Sequence, residues 1–285
     1  ANAVLRKVAE TAPEDWAALP PQRMPGWLRG RLESSYGRAA VTAMEAAHAR
    51  GAPLDLTPRD GDGAALAATV GGALLPTGSV RLTGPVQVSA LPGYGEGAWW
   101  VQDAAAALPA KLLNPRPGER VLDISAQRLA RLEENLARTA LEAKIVVADA
   151  LEWRPDAPFD AVLLDAPCSA TGTIRRHPDL PFTRTGKDIK PLFALQAQMI
   201  DRAVALLKPG GRLVFCTCSL LPEEGEDQLA AALGRHPALR VEMPAAPWVE
   251  GGWREARGGL RLRPDMWADR GGLDGFYMAV LHKAA

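Results

Sequence analysis

The sequence predicts a doubly wound α/β domain preceded by a small α+β module. Three observations predict it. Two stretches, Phe159 to Leu164 and Arg212 to Phe215, are strand-like and nearly continuous in apolar residues, as a parallel sheet covered on both faces requires. Strands and helices alternate from Val121 onward. Both apolar strands stop abruptly at small and polar residues, Asp165-Ala166-Pro167-Cys168 and Thr217-Cys218-Ser219. In such sheets ligands sit just past the carboxyl ends of the strands, so one crevice is expected to hold Asp165, Cys168 and Cys218.

The chain has 285 residues, enough for one large domain or two smaller ones. Hydrophobic residues make up 47%, so a core can form, and the formal net charge is zero. No global basic field points to nucleic acid, and an RNA partner has to be held by a local patch. Three cysteines are too few for a disulfide framework, and the odd count argues for a reducing compartment. Three thiols alone do not complete a four-ligand zinc site, so no metal is expected. No run approaches the ~18 apolar residues of a membrane span, and no signal-peptide pattern is present. The default expectation is a cytoplasmic monomer with no membrane partner.

The chain starts without methionine, in a helical pattern with Val4, Leu5 and Val8 on one face. Pro20 to Pro25 reads as a linker, and a helix follows from about Trp27 to Arg50. Leu54 to Thr57 reads as a strand, Gly63 to Val70 as a helix, and Val80–Leu82 and Val86–Ser89 as two short strands. Trp99 to Asp103 leads into an Ala-rich helix. Its two tryptophans are better suited to a buried core than to stacking on bases.

Arg116 to Arg120 is a turn into a strand, Val121 to Ile124, and Ser125 is placed to cap the next helix. Leu129, Leu132 and Leu136 supply that helix's apolar stripe. Lys144 to Val147 is the expected next strand, ending at Asp149. A helix over 191–207 is stopped by Lys208-Pro209-Gly210-Gly211, and the strand after it leads to Cys218. A helix runs from Glu223 to about Leu233, a Trp-containing loop follows, and the last strand is 275–281. Cys216 reads as packed core, and His177 as structural.

Two thiols and one carboxylate permit a narrow chemistry. Carbon 5 of cytosine is a poor nucleophile. Adding a thiolate to C6 turns the ring into an enamine-like species that attacks an electrophile at C5. A carboxyl at N3 and the exocyclic amine stabilises that adduct, and a second thiol helps to eliminate the first.

Asp165 to Gly172, followed by Ile174-Arg175-Arg176-His177-Pro178-Asp179, resembles the fourth motif of the Sun/RsmB family of RNA cytosine-5 methyltransferases. Thr217-Cys218-Ser219, followed by Pro222-Glu223-Glu224, resembles their sixth. Leu206 to Val214 is similar to the wider class of S-adenosylmethionine-dependent methyltransferases. The resemblance covers most of the chain. It implies a Rossmann-like class I methyltransferase sheet whose last strand is antiparallel. It implies Cys218 as nucleophile, Cys168 as the residue that assists product release, and Asp165 as the group that holds the base near S-adenosylmethionine. Asp149 is implied beside the adenine amino group of that cofactor. The segment Asn2 to Arg6 resembles the end of a NusB-like RNA-binding domain, residues 1–12 here, and Gln102-Asp103 resembles the opening of the catalytic domain. The expected domains are therefore residues 1–92, an RNA-binding module, and residues 93–285, catalytic.

One departure stands out. The family has a Gly-rich loop, a helix and a second strand after the first strand, and here Val121-Leu122-Asp123 runs straight into Ile124-Ser125. About 25 residues are missing against a ~30-residue βαβ unit. Either the protein lacks them, or the numbering closes over them, which is favoured because every flanking motif is kept. Asp123 matches either the first-strand acid or the second-strand acid that holds the ribose, and Ile124-Ser125 beside Gln127-Arg128-Leu129 favours the latter.

The stretch after Cys168 is locally basic. Arg175, Arg176 and Lys187 are the expected phosphate contacts. The expected function is methylation of C5 of a cytosine in RNA, ribosomal RNA above all. The alternative is a non-catalytic RNA-binding or ribosome-assembly factor that kept the fold, for which the missing Gly-rich turn is the sole support.

Overall fold

The computed structural model describes residues 2–125 and 129–285. Two short helices, α1 (Asn2–Glu10) and α2 (Pro13–Ala18), lead through the Pro-rich linker to α3 (Gly26–Ala49). The chain turns inside α3 at Gly37, where φ is 81°, a value glycine adopts without the Cβ penalty. The buried face of α3, Leu28, Leu32, Val41 and Met44, packs against Ile174, Ile189, Leu220 and Leu221. The helix thus backs onto the segments that follow the two motif cysteines.

The small module is an antiparallel sheet of β1 (Leu54–Pro58), β2 (Ala73–Leu74), β3 (Val80–Leu82) and β4 (Trp99–Val101), in the order β2-β3-β1-β4. Helix α4 (Gly63–Val70) covers it, capped by Asp62, whose side chain accepts from the Ala65 N–H at 2.9 Å. Two expectations are corrected. Val86–Ser89 forms no strand, and a 3₁₀ turn lies at Val88–Ala90. Both edges of β3 are already taken by β1 and β2, which leaves no backbone partners for another strand. Trp99 to Val101 is itself a strand, paired with β1, so the small sheet runs past the expected boundary at residue 92. Trp99 is fully buried among Leu56, Leu66, Val80 and Leu82.

Beyond α5 (Leu108–Leu113) the chain alternates: β5 (Val121–Ser125), α6 (Leu129–Thr139), β6 (Phe159–Asp165), α7 (Leu180–Thr183), α8 (Lys190–Leu206) and β7 (Leu207–Thr217). Then come α9 (Glu226–Arg235), β8 (Leu239–Glu242), β9 (Leu260–Leu262) and β10 (Phe276–Lys283). The sheet order is β5-β6-β7-β10-β8, with β9 also on β10. β5, β6 and β7 are parallel, and β10 is antiparallel to β7, β8 and β9. Helices α8 and α9 cover one face through Met199, Ile200, Ala203 and Leu229, packed with Val162, Leu164, Leu213 and Phe215. Leu108 of α5 belongs to the opposite face, with Trp253, Leu260, Trp267 and Met278. The fold is Rossmann-like and doubly wound, as the sequence predicts.

The expected strand at Lys144–Val147 is not formed, and Val146 and Val147 are 45% and 78% exposed. Among the described residues no strand pairs with the outer edge of β5, and this segment leaves that edge open. Ser125 ends β5 and α6 is described from Leu129, so the expected cap falls on a stretch outside the described residues. In doubly wound sheets of order 3-2-1-4-5 the first strand neighbours the fourth. β5 lies directly beside β6, a placement compatible with the first-strand reading of Asp123.

Candidate active site

The parallel register aligns Ser125, Asp165 and Cys216 in one row at the carboxyl ends of β5, β6 and β7. Cys216 Sγ lies 3.8 Å from Asp165 Oδ1. Two residues on, Cys218 leaves the sheet, and its carbonyl accepts from the Gly172 N–H at 2.9 Å. That bond folds the loop after β6 back over the end of β7. It brings Cys168 Sγ to 3.5 Å from Cys218 Sγ. Three expected residues, Asp165, Cys168 and Cys218, therefore belong to one strand-end cluster, and both motif thiols are partly open to solvent.

The hydrogen bond between Cys168 and Cys218 raises the pKa of Cys168 well above its ordinary value, with burial and the negative charge of Glu224 adding to it. Cys168 thus holds its proton more tightly than a free thiol does. Burial likewise pushes the Cys216 thiol up, which fits the expected core role.

Behind the thiols lies a buried polar cluster that sequence reasoning did not assign. Glu224, fully buried, accepts from the Ser169 N–H at 2.9 Å and from the hydroxyls of Ser169 and Ser219, the latter at 2.5 Å. Gln196 of α8 donates to Glu224 at 3.0 Å and to the Pro167 carbonyl at 2.9 Å. Thr171 Oγ1 accepts from the Leu220 N–H at 2.9 Å. The available signal was Gln196, a polar residue on the apolar side of α8, one turn after Leu192.

The expected RNA contacts divide. Arg175 is corrected: its guanidinium is buried and paired with Asp274 at 2.8 Å and Asp103 at 2.6 Å, so it offers nothing to a phosphate. Buried cations need such partners, and the carboxylates supply them. Arg176 is exposed and also pairs with Asp274. Lys187 is exposed. Arg184, another basic residue of this stretch, reaches the carbonyls of Cys168 and Ser169 at 3.4 and 3.3 Å.

The residues present fit S-adenosylmethionine only in part. Asp123 stands beside the strand-end row, its carboxyl raised by desolvation against a hydrogen bond with Ser125. Asp149 is exposed and lies at no strand end; its carboxylate accepts from the Leu151 N–H at 2.8 Å in a local turn. Gly118 and Gly172 are consecutive glycines in the sequence. No glycine turn follows β5 to let backbone approach a bound methionine group. Among the described residues no group of three or more His, Cys, Asp or Glu residues could hold a metal ion, and no helix is long and apolar enough to cross a membrane.

The family model described as 16S rRNA methyltransferase RsmB/F matches residues 110–282. The chain is similar to ribosomal RNA small subunit methyltransferase B of Erwinia tasmaniensis, 36% identical over 311 positions, covering 98% of this chain and 65% of the relative. Its likeness to the same-named protein of Pseudomonas putida is 41% over 227 positions, covering 70% of this chain and 50% of the relative. The chain thus spans about half to two thirds of the length of these curated relatives. The first alignment has 311 positions for 98% of 285 residues, so about 30 positions of the relative lack a counterpart here, the size of one strand–helix–strand unit. A methyltransferase homologue from Pyrococcus horikoshii superposes with a TM-score of 0.73 at 24% identity, covering 89% of this chain and 93% of that one. NSun6 from the same organism gives 0.75 at 17%, covering 92% and 98%. These two likenesses show the fold.

Proposed function

This chain belongs to the RsmB/F family of 16S rRNA methyltransferases, and from that premise we propose that its site activates carbon 5 of a cytosine in RNA for methylation. The RNA is ribosomal, a reading supported by the name that the curated relatives carry. The methyl donor is S-adenosylmethionine, which supplies the methyl group when bound.

The observation that carries this reading is the 3.5 Å contact between Cys168 and Cys218 at the strand ends. In the proposed chemistry Cys218 adds as thiolate to C6, forming the S–C6 bond and moving the C5=C6 electron pair toward C5 and N3. Asp165 faces N3 and the exocyclic amine and holds the ring in place. Release reverses the electron flow. The C5 proton passes to a solvent water, its electron pair rebuilds C5=C6, the S–C6 bond breaks, and Cys218 departs as thiolate. Cys168, which keeps its proton, donates a hydrogen bond to that thiolate as it leaves. A stacked, paired cytosine hides C5 and C6, so the target is single-stranded or flipped out.

A second reading is favoured by one observation, the absence of a glycine turn after β5. It is an RNA-binding or ribosome-assembly factor that does not transfer methyl groups. Denaturing gels separate the two, using a 16S rRNA transcript with S-adenosylmethionine binding verified by titration in the same samples. Cys168→Ala is expected to carry RNA covalently through the gel, and Cys218→Ala to carry none. Adduct in neither variant would reject the assigned roles.

A further inference from the structure

Glu224 is a carboxylate with no solvent exposure, and among the described residues no cation lies within ion-pair distance of it. Arg261, the nearby buried guanidinium, is engaged by Glu226 at 2.9 and 2.6 Å and by the Ser219 carbonyl. A buried charge is tolerated only when hydrogen bonds replace its hydration. Here the donors come from both cysteine segments: the Ser169 N–H and hydroxyl, one residue after Cys168, and the Ser219 hydroxyl, one residue after Cys218. Gln196 adds a donor from α8 and ties in the Pro167 carbonyl. The Thr217 hydroxyl closes the ring by donating to the Glu224 carbonyl at 3.0 Å. The strand-end segments are fifty residues apart in sequence, and this carboxylate bridges them.

We propose that Glu224 is a positioning residue: it locks the Cys168 loop to the Cys218 segment and holds a negative charge behind Cys168, so that the two thiols take different roles. The proposal rests on the site reading above and does not need RNA or cofactor to be tested. Its charge acts on Cys168 in the direction that keeps the proton there. The other groups facing the pair are Arg184, on the Cys168 and Ser169 carbonyls, and Asp165 beside Cys216. Both remain in the variants below.

The test measures thiol chemistry on the folded chain. Iodoacetamide labelling followed by peptide mass spectrometry gives the rate at each cysteine across pH. Diamide, a thiol oxidant, gives the rate at which Cys168 and Cys218 join, two thiols losing two protons and two electrons to the azo bond. Glu224→Gln keeps hydrogen-bonding capacity because the serine hydroxyls can turn round to accept. It is expected to retain joining within about twofold, and to move the Cys168 labelling profile to lower pH with a roughly three- to tenfold gain at pH 7. Glu224→Ala is expected to slow joining about tenfold, as the loops separate. If Glu224→Gln leaves the Cys168 profile unmoved, the charge has no role at the pair and the proposal is overturned. If Glu224→Ala folds and joins at the wild-type rate, the locking role is overturned. Should Glu224→Ala fail to fold, Glu224→Gln alone decides. Because no methylation is read, loss of the site reading and loss of this proposal give different results.

Discussion

Gly172 and Gly275 meet backbone to backbone: the Gly275 N–H donates to the Gly172 carbonyl at 2.8 Å, and a Cβ on Gly172 would stand 1.9 Å from the Gly275 oxygen. Gly172 also donates to the Cys218 carbonyl. The loop carrying Cys168 is thus seated on the start of β10 and the end of β7 at once. Gly172→Ala is expected to cost at least ~2–4 kcal/mol, since backbone rather than a flexible side chain must move. Urea unfolding measures it, and a loss under ~0.5 kcal/mol would mean that the contact is not obligatory.

Arg175 and its exposed neighbours are expected to behave oppositely. Arg175→Met leaves Asp103 and Asp274 short of a buried partner and is expected to destabilise by ~3–5 kcal/mol, with the salt dependence of RNA binding unchanged. Arg176→Ala with Lys187→Ala is expected to flatten that dependence by roughly one unit of slope per lost phosphate contact, and to cost less stability than Arg175→Met, because Asp274 keeps Arg175. Binding across a salt series for both variants separates the roles.

His48 gives a pH prediction. Burial lowers its pKa to about 4, with Glu45 and Asp265 opposing and Arg175 assisting, and its buried Nε2 has no hydrogen-bond partner among the described residues. A folded pKa below the unfolded value means that the unfolded chain binds the extra proton between about pH 4 and 6.5. Stability therefore falls as pH drops through that window, by on the order of 2–3 kcal/mol. His48→Leu is expected to flatten this part of the profile in thermal melts, and an unchanged slope would place the titration elsewhere.

Cofactor binding tests the departure after β5. The chain at its sequence mass of 30.4 kDa, checked by intact mass spectrometry, is expected to titrate weakly with S-adenosylmethionine. A variant carrying the relative's missing ~30 positions between Asp123 and Ile124 is expected to bind at least tenfold more tightly. Asp149→Ala in that variant is expected to lose a further tenfold to hundredfold, about 1.5–3 kcal/mol. Equal affinity with and without the insertion would show that the glycine turn is dispensable.

The sheet's parallel strands and the thiol pair were legible in the sequence because local signals and packing agree there. Ala161 to Leu164 and Leu213 to Phe215 are strands buried on both faces, and Cys168 and Cys218 follow directly from them. Lys144 to Val147 has the same local pattern but does not pair with the open outer edge of β5, so local pattern alone does not make it a strand. Arg175 reads as a surface cation because its neighbours are basic. Its partners, Asp103 and Asp274, lie far along the chain, so only the fold reveals that it is buried. Glu224 was visible within its motif, but its role depends on two serines that the fold alone brings to it.

The central claim, that Cys218 activates a cytosine ring, is tested most directly by hydrogen exchange at C5 without any methyl donor. Addition at C6 gives C5 enamine character, so its hydrogen exchanges with water even where no methyl group is available. A 16S rRNA transcript bearing tritium at C5 of cytidine is incubated with protein that has been shown to bind it, and released tritium is counted. Wild type is expected to release tritium well above the protein-free background, Cys168→Ala to retain release, and Cys218→Ala to fall to background. Release from Cys218→Ala equal to wild type, or none from wild type, would contradict the account.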